Sequence, residues 1–316
     1  MKTNQFKNEV LEGLQSSPKT LPSKYFYNKK GDALFVEIMN LPEYYLTRAE
    51  FEIFKTKSEA IIKRIDLDKI PYFELIELGA GDGKKTKEFL KALLQLNLEF
   101  SYVPIDISQH ALDNLEQHLK TEFNSLKVKP KQGKYFEVLQ DIKLNKAPKV
   151  IMFLGSNLGN MPDEEAKRFM KNLNDALQEN DKVILGLDLI KSEDIVLPAY
   201  NDAQGVTKAF NMNLLSRINE ELYADFNLEQ FDHQPEYSEE TGVAKSFLVS
   251  KSDQNVSFNG AGVTIPFKKG EKIHTEISRK YNESILKDIL DQTQFKIIDQ
   301  FLDSKSYFSS YILEKH

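Results

Sequence analysis

The 316-residue chain contains no cysteine, which excludes disulfides, thiolate metal sites and a cysteine nucleophile and suits a reducing compartment. No apolar run approaches the roughly 18 residues of a membrane-spanning helix. The opening Met1-Lys-Thr-Asn-Gln is polar and has no secretion-signal core, so the expectation is a cytoplasmic protein with no membrane partner. Positive charge is not in surplus either: 42 Lys and Arg against 48 Asp and Glu give a net charge of −6. Nucleic acid is therefore not an expected partner, because phosphate backbones are held by clustered basic residues. There is no G-x-S-x-G, no H-E-x-x-H, no internal repeat and no low-complexity tract, and the five histidines are scattered, so no metal is expected. The 41% hydrophobic and 28% charged content is that of an ordinary globular protein, long enough for two domains or one decorated domain.

Chemistry gathers around Glu74-Leu-Ile-Glu-Leu-Gly-Ala-Gly-Asp-Gly-Lys-Lys-Thr86. The run from Phe73 to Leu78 reads as a buried strand, and Gly79, Gly81 and Gly83 follow before a helical pattern begins near Lys85. Glycines at a strand-to-helix junction let backbone approach a ligand while helix N–H groups point into the turn. The dinucleotide fingerprint G-x-G-x-x-G would need glycine at position 84, where the chain has Lys84. Glu77, two residues before the first glycine, suits a ligand with a cationic or hydroxyl-rich portion rather than a pyrophosphate. S-adenosylmethionine meets that description, with a cationic ammonium and sulfonium and no phosphate. The next strand ends in Asp106, where a doubly wound sheet holds ribose hydroxyls.

Along the chain, residues 1–24 read as polar, with a linker from Ser16 to Pro22, and Asp32 reads as the cap of a short amphipathic helix. From Ile70 to Leu189 strands and helices alternate, which predicts a parallel sheet covered on both faces. The loop Gly155-Ser-Asn-Leu-Gly-Asn160 leaves the C-terminal end of the fourth strand, the edge at which such sheets place ligands. Residues 193–279 break the alternation with a helix and antiparallel strands, which predicts an inserted unit. In its last strand the two-residue period puts His274, Glu276 and Ser278 on one face. A helix and two strands after Ser284 close the first pattern.

Several stretches together resemble the histidine-specific Nα-methyltransferase family of the ergothioneine pathway. They are Tyr25-Phe-Tyr27, Leu41-Pro-Glu-Tyr-Tyr-Leu-Thr-Arg48, Glu77-Leu-Gly-Ala-Gly81 with Lys85-Thr86, Tyr102-Val-Pro-Ile-Asp106, Phe153-Leu-Gly-Ser-Asn-Leu-Gly-Asn160, Asp188-Leu189, Ala199-Tyr-Asn-Asp-Ala203 onward to Leu215, and His274-Thr-Glu-Ile-Ser278. They keep the family's order over nearly the whole chain. The resemblance implies a class I methyltransferase fold, Rossmann-like and doubly wound, carrying an inserted α+β substrate-binding domain. The cofactor domain would comprise residues 56–192 and 280–316, and the substrate domain residues 1–55 and 193–279.

It further implies S-adenosylmethionine as cofactor, held by Gly79, Gly81, Lys85 and Asp106 with Lys134 and Tyr135 near the adenine, although the family commonly has Asp where this chain has Lys134. Asn160 and Tyr200 would hold the α-carboxylate of an amino acid, and Tyr27 and the Gly155 carbonyl would sit near the amine. Tyr44, Glu276 and Ser278 would recognise an imidazole, and Tyr27 and Tyr44 are the side chains expected to orient the amine for transfer. The implied reaction is L-histidine to hercynine by a monomeric enzyme acting on a small molecule. A methionine of the family falls at Lys245 or Ser246, which leaves another amino acid or small amine open as substrate, as is a non-catalytic nucleoside-binding protein. A nucleic-acid base methyltransferase would carry Asp/Asn-Pro-Pro-Tyr where this chain has Gly155-Ser-Asn-Leu158.

Overall fold

A computed structural model gives the fold, with residues 2–316 described. In chain order the elements are α1 (Lys2–Gln15), β1 (Lys19–Thr20), α2 (Lys29–Asn40), α3 (Leu46–Arg64), β2 (Phe73–Leu78), α4 (Thr86–Gln95), β3 (Phe100–Asp106), α5 (Gln109–Glu122), β4 (Lys127–Val128), β5 (Lys131–Gln132), α6 (Tyr135–Lys143), β6 (Lys149–Phe153), α7 (Asp163–Ala176) and β7 (Lys182–Asp188). There follow α8 (Glu193–Val196), α9 (Val206–Leu222), β8 (Phe231–Ser238), β9 (Val243–Ser250), β10 (Gln254–Phe258), β11 (Val263–Phe267), β12 (Lys272–Arg279), α10 (Glu283–Leu290), β13 (Phe295–Leu302) and β14 (Phe308–Lys315). They divide into two compact units, one of residues 1–45 and 191–278, the other of residues 46–190 and 279–316.

The second unit is built on one sheet of order β13-β14-β7-β6-β2-β3-β4, with β5 also paired to β3. Strands β2 to β7 run parallel, and β14 enters antiparallel beside β7. Both faces are dry, which is why these strands read as continuous apolar runs rather than alternating ones. On β2, Phe73 and Leu75 pack with Ile53 and Phe54 of α3, Phe89 and Leu93 of α4 and Leu115 of α5. Ile76 and Leu78 face the other way, among Leu139 of α6, Phe169 and Leu173 of α7 and Leu286 of α10. The chain builds outward from β2 through β3 and β4, then returns to the other side of β2 with β6. That reversal opens a crevice at the C-terminal ends of β2 and β6, and the parallel register carries the loops after β2, β3 and β6 to the same edge. Helix α3 runs unbroken across residue 55, where the sequence reading drew a boundary, because Ala49, Ile53 and Phe54 belong to the core beneath the sheet.

The first unit has a four-stranded sheet of order β1-β12-β9-β8 and a separate β10-β11 hairpin. Its core joins Phe6, Val10 and Leu14 of α1, Ile38 of α2, Phe210 and Leu214 of α9, and Leu248 and Ile273 from the sheet. Two local expectations are corrected here. The polar-looking N-terminal segment is a helix, because Phe6, Val10 and Leu14 recur every fourth residue and form one buried stripe. The cap of α2 is Asn28, whose side chain accepts the Gly31 N–H at 2.8 Å, while Asp32 lies within the first turn.

Candidate active site

In the sheet unit, the turn after β2 holds Gly79, Gly81 and Gly83 at φ +76°, +53° and +66°. A side chain is strained in that left-handed region, and at Gly79 a Cβ would also stand 2.5 Å from the Tyr135 hydroxyl. A Cβ on Gly81 would meet nothing within 4 Å, so that side of the turn is open.

Glu77 has a different place from the ligand-facing one its position suggested. It is buried, accepts the Thr86 hydroxyl at 2.7 Å and that of Tyr102, and so ties the end of β2 to the start of α4 and to β3. Burial pushes its carboxyl up to about 7, against the pull of those two hydroxyls and of the Lys85 charge.

Asp106, at the tip of β3, is half-buried and accepts the Ser108 N–H with Oδ1 at 2.9 Å, which fixes the carboxylate in a local turn and leaves its other oxygen available. Beside it Ile107 is 72% exposed, an apolar side chain that the sequence reading did not single out. Tyr135 sits edge-on to Phe153 and Phe169 with its hydroxyl over the Gly79 turn, and burial, then the charges of Asp106 and Glu77, push that hydroxyl up to about 12. Lys134 is at the surface, 3.8 Å from Glu137.

Lys85 forms an ion pair with the buried Glu50 of α3. Gly155 and Ser156, after β6, are both left-handed, at φ +74° and +56°. The Gly155 N–H donates to both Glu50 oxygens at 2.9 Å, and the Ser156 hydroxyl accepts the Asp188 N–H at 3.0 Å. The Asn157 amide nitrogen lies 3.5 Å from where a Gly155 Cβ would be and 3.9 Å from the same point on Gly79, between the two turns. Asn160 is exposed at the end of that short turn of helix. Neither Glu50 nor Asn157 was singled out from sequence. For Asn157 the signal was its place inside the Gly155–Asn160 loop, whereas Glu50 gave none.

In the other unit, Tyr27, Phe35 and Tyr44 form an aromatic row, with ring centroids 5.6 Å and 6.3 Å apart and edge-to-face geometry. The Tyr27 segment is held from below by Arg217, which donates to the Tyr25 and Tyr27 carbonyls, and by Asn28, which accepts from Asn213. Tyr27 keeps 46% of its surface accessible. The protein around its hydroxyl nonetheless raises that group well above the usual phenol range, with the Glu276 and Asp32 charges adding to the effect. The Tyr200 hydroxyl donates to Ser278 at 2.8 Å, so residues expected at two different ends of an amino acid are joined. Glu276 accepts the Ser246 hydroxyl at 3.3 Å.

That bond settles which residue of β9 points inward: Ser246 is fully buried, while Lys245 is exposed and registered opposite Glu236. The shared face expected for His274, Glu276 and Ser278 does not hold. His274 lies against Phe247, on the Lys245 side of β9, and Glu276 reaches Ser246, on the opposite side. The burial alternation of β12 breaks where Glu276 and Ile277 are both half-buried.

A sequence model of histidine-specific, S-adenosylmethionine-dependent methyltransferases matches residues 6–315. The chain belongs to this family. It is an S-adenosylmethionine-dependent methyltransferase with the class I fold, in which the closing β13-β14 hairpin completes the sheet. The histidine N-alpha-methyltransferase of Mycolicibacterium smegmatis is 33% identical over 286 residues, 90% of this chain and 87% of that protein. The enzyme of the same name from Mycobacterium tuberculosis is 33% identical over 275 residues, 87% of this chain and 84% of that one. More distant is the 4-dimethylallyltryptophan N-methyltransferase of Claviceps fusiformis, 27% identical over 203 residues, 61% of this chain and 56% of its own length. The glycine turn, the acceptor at Asp106 and the open side of Gly81 fit the family's cofactor, which brings a ribose, an ammonium and a carboxylate. Among the described residues, no helix is long and apolar enough to cross a membrane.

Proposed function

We propose that the protein methylates the α-amine of free L-histidine, forming hercynine. In the sheet unit, Gly79 and Gly81 give the cofactor access to backbone, Asp106 accepts from its ribose hydroxyls, and Lys85 faces its carboxylate. Ile107 and Tyr135 supply the apolar and edge contacts for its adenine, with Lys134, exposed and 3.8 Å from Glu137, next to Tyr135 in the chain. Gly155 and Asn160 take the amino-acid backbone. For the other unit the family resemblance assigns Tyr200 to the carboxylate, Tyr27 to the amine, and Tyr44, Glu276 and Ser278 to the imidazole. Bound S-adenosylmethionine supplies an electrophilic methyl group on a sulfonium, and the protein supplies alignment of the amine and exclusion of water. The raised Tyr27 hydroxyl stays protonated at neutral pH, so it positions the amine through hydrogen bonds and does not act as a tyrosinate base.

The observation that carries the choice of histidine is Glu276. A half-buried carboxylate held by a buried serine is costly beside an aliphatic or phenyl group but suits a side chain that presents N–H donors. Ser246, the inward-facing one of the two positions at which the resemblance places a methionine, donates to that carboxylate at 3.3 Å. The test is to incubate the protein with labelled S-adenosylmethionine and each of the twenty amino acids and read product masses. Histidine then competes against tryptophan, glutamate and lysine, with Glu276→Ala run in parallel. Preference for another amino acid, or an unchanged kcat/KM for histidine in Glu276→Ala, would refute the assignment.

A further inference from the structure

Glu50 is 1% exposed, and its surroundings are arranged around its charge. Both of its oxygens accept the Gly155 N–H at 2.9 Å, and one also meets the Lys85 ammonium, which reaches to 3.6 Å of where a Gly155 Cβ would be. Room for the carboxylate comes from β7: a Cβ on Gly186 would stand 2.1 Å from Glu50 Oε1. On that strand Ile184 packs into the same core as α3, so strand alternation aims the absent side chain of Gly186 at the helix. An apolar residue at 50 packed against a side chain at 186 would close helix onto sheet without burying charge. Ion pairs in such places are often no more stabilising than well-packed apolar groups. Packing therefore does not account for Glu50, Lys85 and Gly186 together.

We infer that Glu50 is a positioning residue for the methyl transfer, one carboxylate that aims the Lys85 ammonium and at the same time fixes the Gly155 peptide from which the strand-six loop departs. This rests on the reading that Lys85 serves the cofactor and Gly155 the amino acid. Two left-handed residues in succession, Gly155 and Ser156, set the direction of the Gly155 carbonyl, and a charged acceptor on the preceding N–H holds that peptide in place. The two half-reactions of binding thus share one anchor.

Glu50→Gln keeps the shape and an acceptor but removes the charge. The expected result is a folded protein whose Kd for S-adenosylmethionine and whose KM for the amino acid at saturating cofactor both rise, each roughly tenfold or more, as for a lost hydrogen bond to a charged group. Lys85→Met is expected to raise the cofactor Kd alone, and Glu50→Asp to recover part of the loss. Gly186→Ala, which displaces the carboxylate, is expected to act like Glu50→Gln and to add little in the Glu50→Gln background. If Gly186→Ala does not fold, the Glu50→Gln measurements decide alone. A Glu50→Gln protein with wild-type Kd and KM, whether or not its melting temperature falls, overturns the inference. Wild-type protein that neither binds S-adenosylmethionine nor methylates an amino acid refutes the functional reading itself, and calorimetry on the wild type separates that failure from this one.

Discussion

The Glu77 carboxyl makes an unusual demand on pH. In the folded protein burial lifts it from 4.5 to about 7, although Thr86 and Tyr102 both donate to it. A raised acid binds its proton more tightly in the folded than in the unfolded chain, so stability falls as pH climbs wherever the native state alone is protonated. Below the unfolded value both states carry the proton and nothing is lost. From about 4.5 to about 7 the unfolded chain has released it and the native chain has not, and each pH unit costs about 1.4 kcal/mol, roughly 3 kcal/mol in all. Above about 7 both states are ionised and the loss levels off. Urea unfolding of the wild type and of Glu77→Gln at pH 5, 6, 7 and 8 and constant ionic strength isolates this contribution, since other groups titrate alike in the two proteins. The stability of wild type relative to Glu77→Gln is expected to decline steadily across that interval and then flatten. A difference that is level with pH, or that rises, would refute the reasoning.

Asp106→Ala is expected to weaken S-adenosylmethionine binding by roughly 1–3 kcal/mol in calorimetry, the value of a hydrogen bond to a charged group, and unchanged affinity would remove Asp106 from the cofactor site. Asn160→Ala should raise KM for the amino acid with little change in kcat, and histamine, which lacks the carboxylate, should be a poor substrate; equal turnover of histidine and histamine would contradict carboxylate recognition. Lys280 and Asp188 form a fully buried ion pair at 2.7 Å, so Lys280→Met should destabilise the protein by about 3–5 kcal/mol in denaturant titration, and by much less when combined with Asp188→Leu.

The sheet was legible because its strands are buried on both faces and are therefore apolar runs punctuated by glycine, as at Leu78-Gly79 and Leu154-Gly155. Helix α1 was obscured by its polar composition, since among its described residues Phe6, Val10 and Leu14 are the apolar side chains fully buried in the core, with Leu11 at its margin. The choice between Lys245 and Ser246 could not be made from sequence, because a one-residue shift of register sends a strand's side chains to opposite faces. The period-2 rule misled at β12 for the related reason that the strand does not keep its alternation through Glu276 and Ile277. Glu50 was invisible for another cause: its meaning lies in Lys85, Gly155 and Gly186, each remote in sequence, and a single glutamate on a helix carries no sign of the company it keeps.

The strand order has a consequence for how the chain is made. Strand β7, buried along its whole length, takes β6 as one neighbour as soon as both exist, but its other neighbour is β14, which follows only after residues 191–278 have been synthesised. Throughout that interval the nascent sheet ends in an apolar seven-residue edge with unpaired N–H and carbonyl groups, the kind of template that recruits strands from other chains. Closing it requires a contact of high sequence separation, which slows folding. The interleaved layout thus makes the pairing of β14 the moment at which β7 loses its adhesive edge.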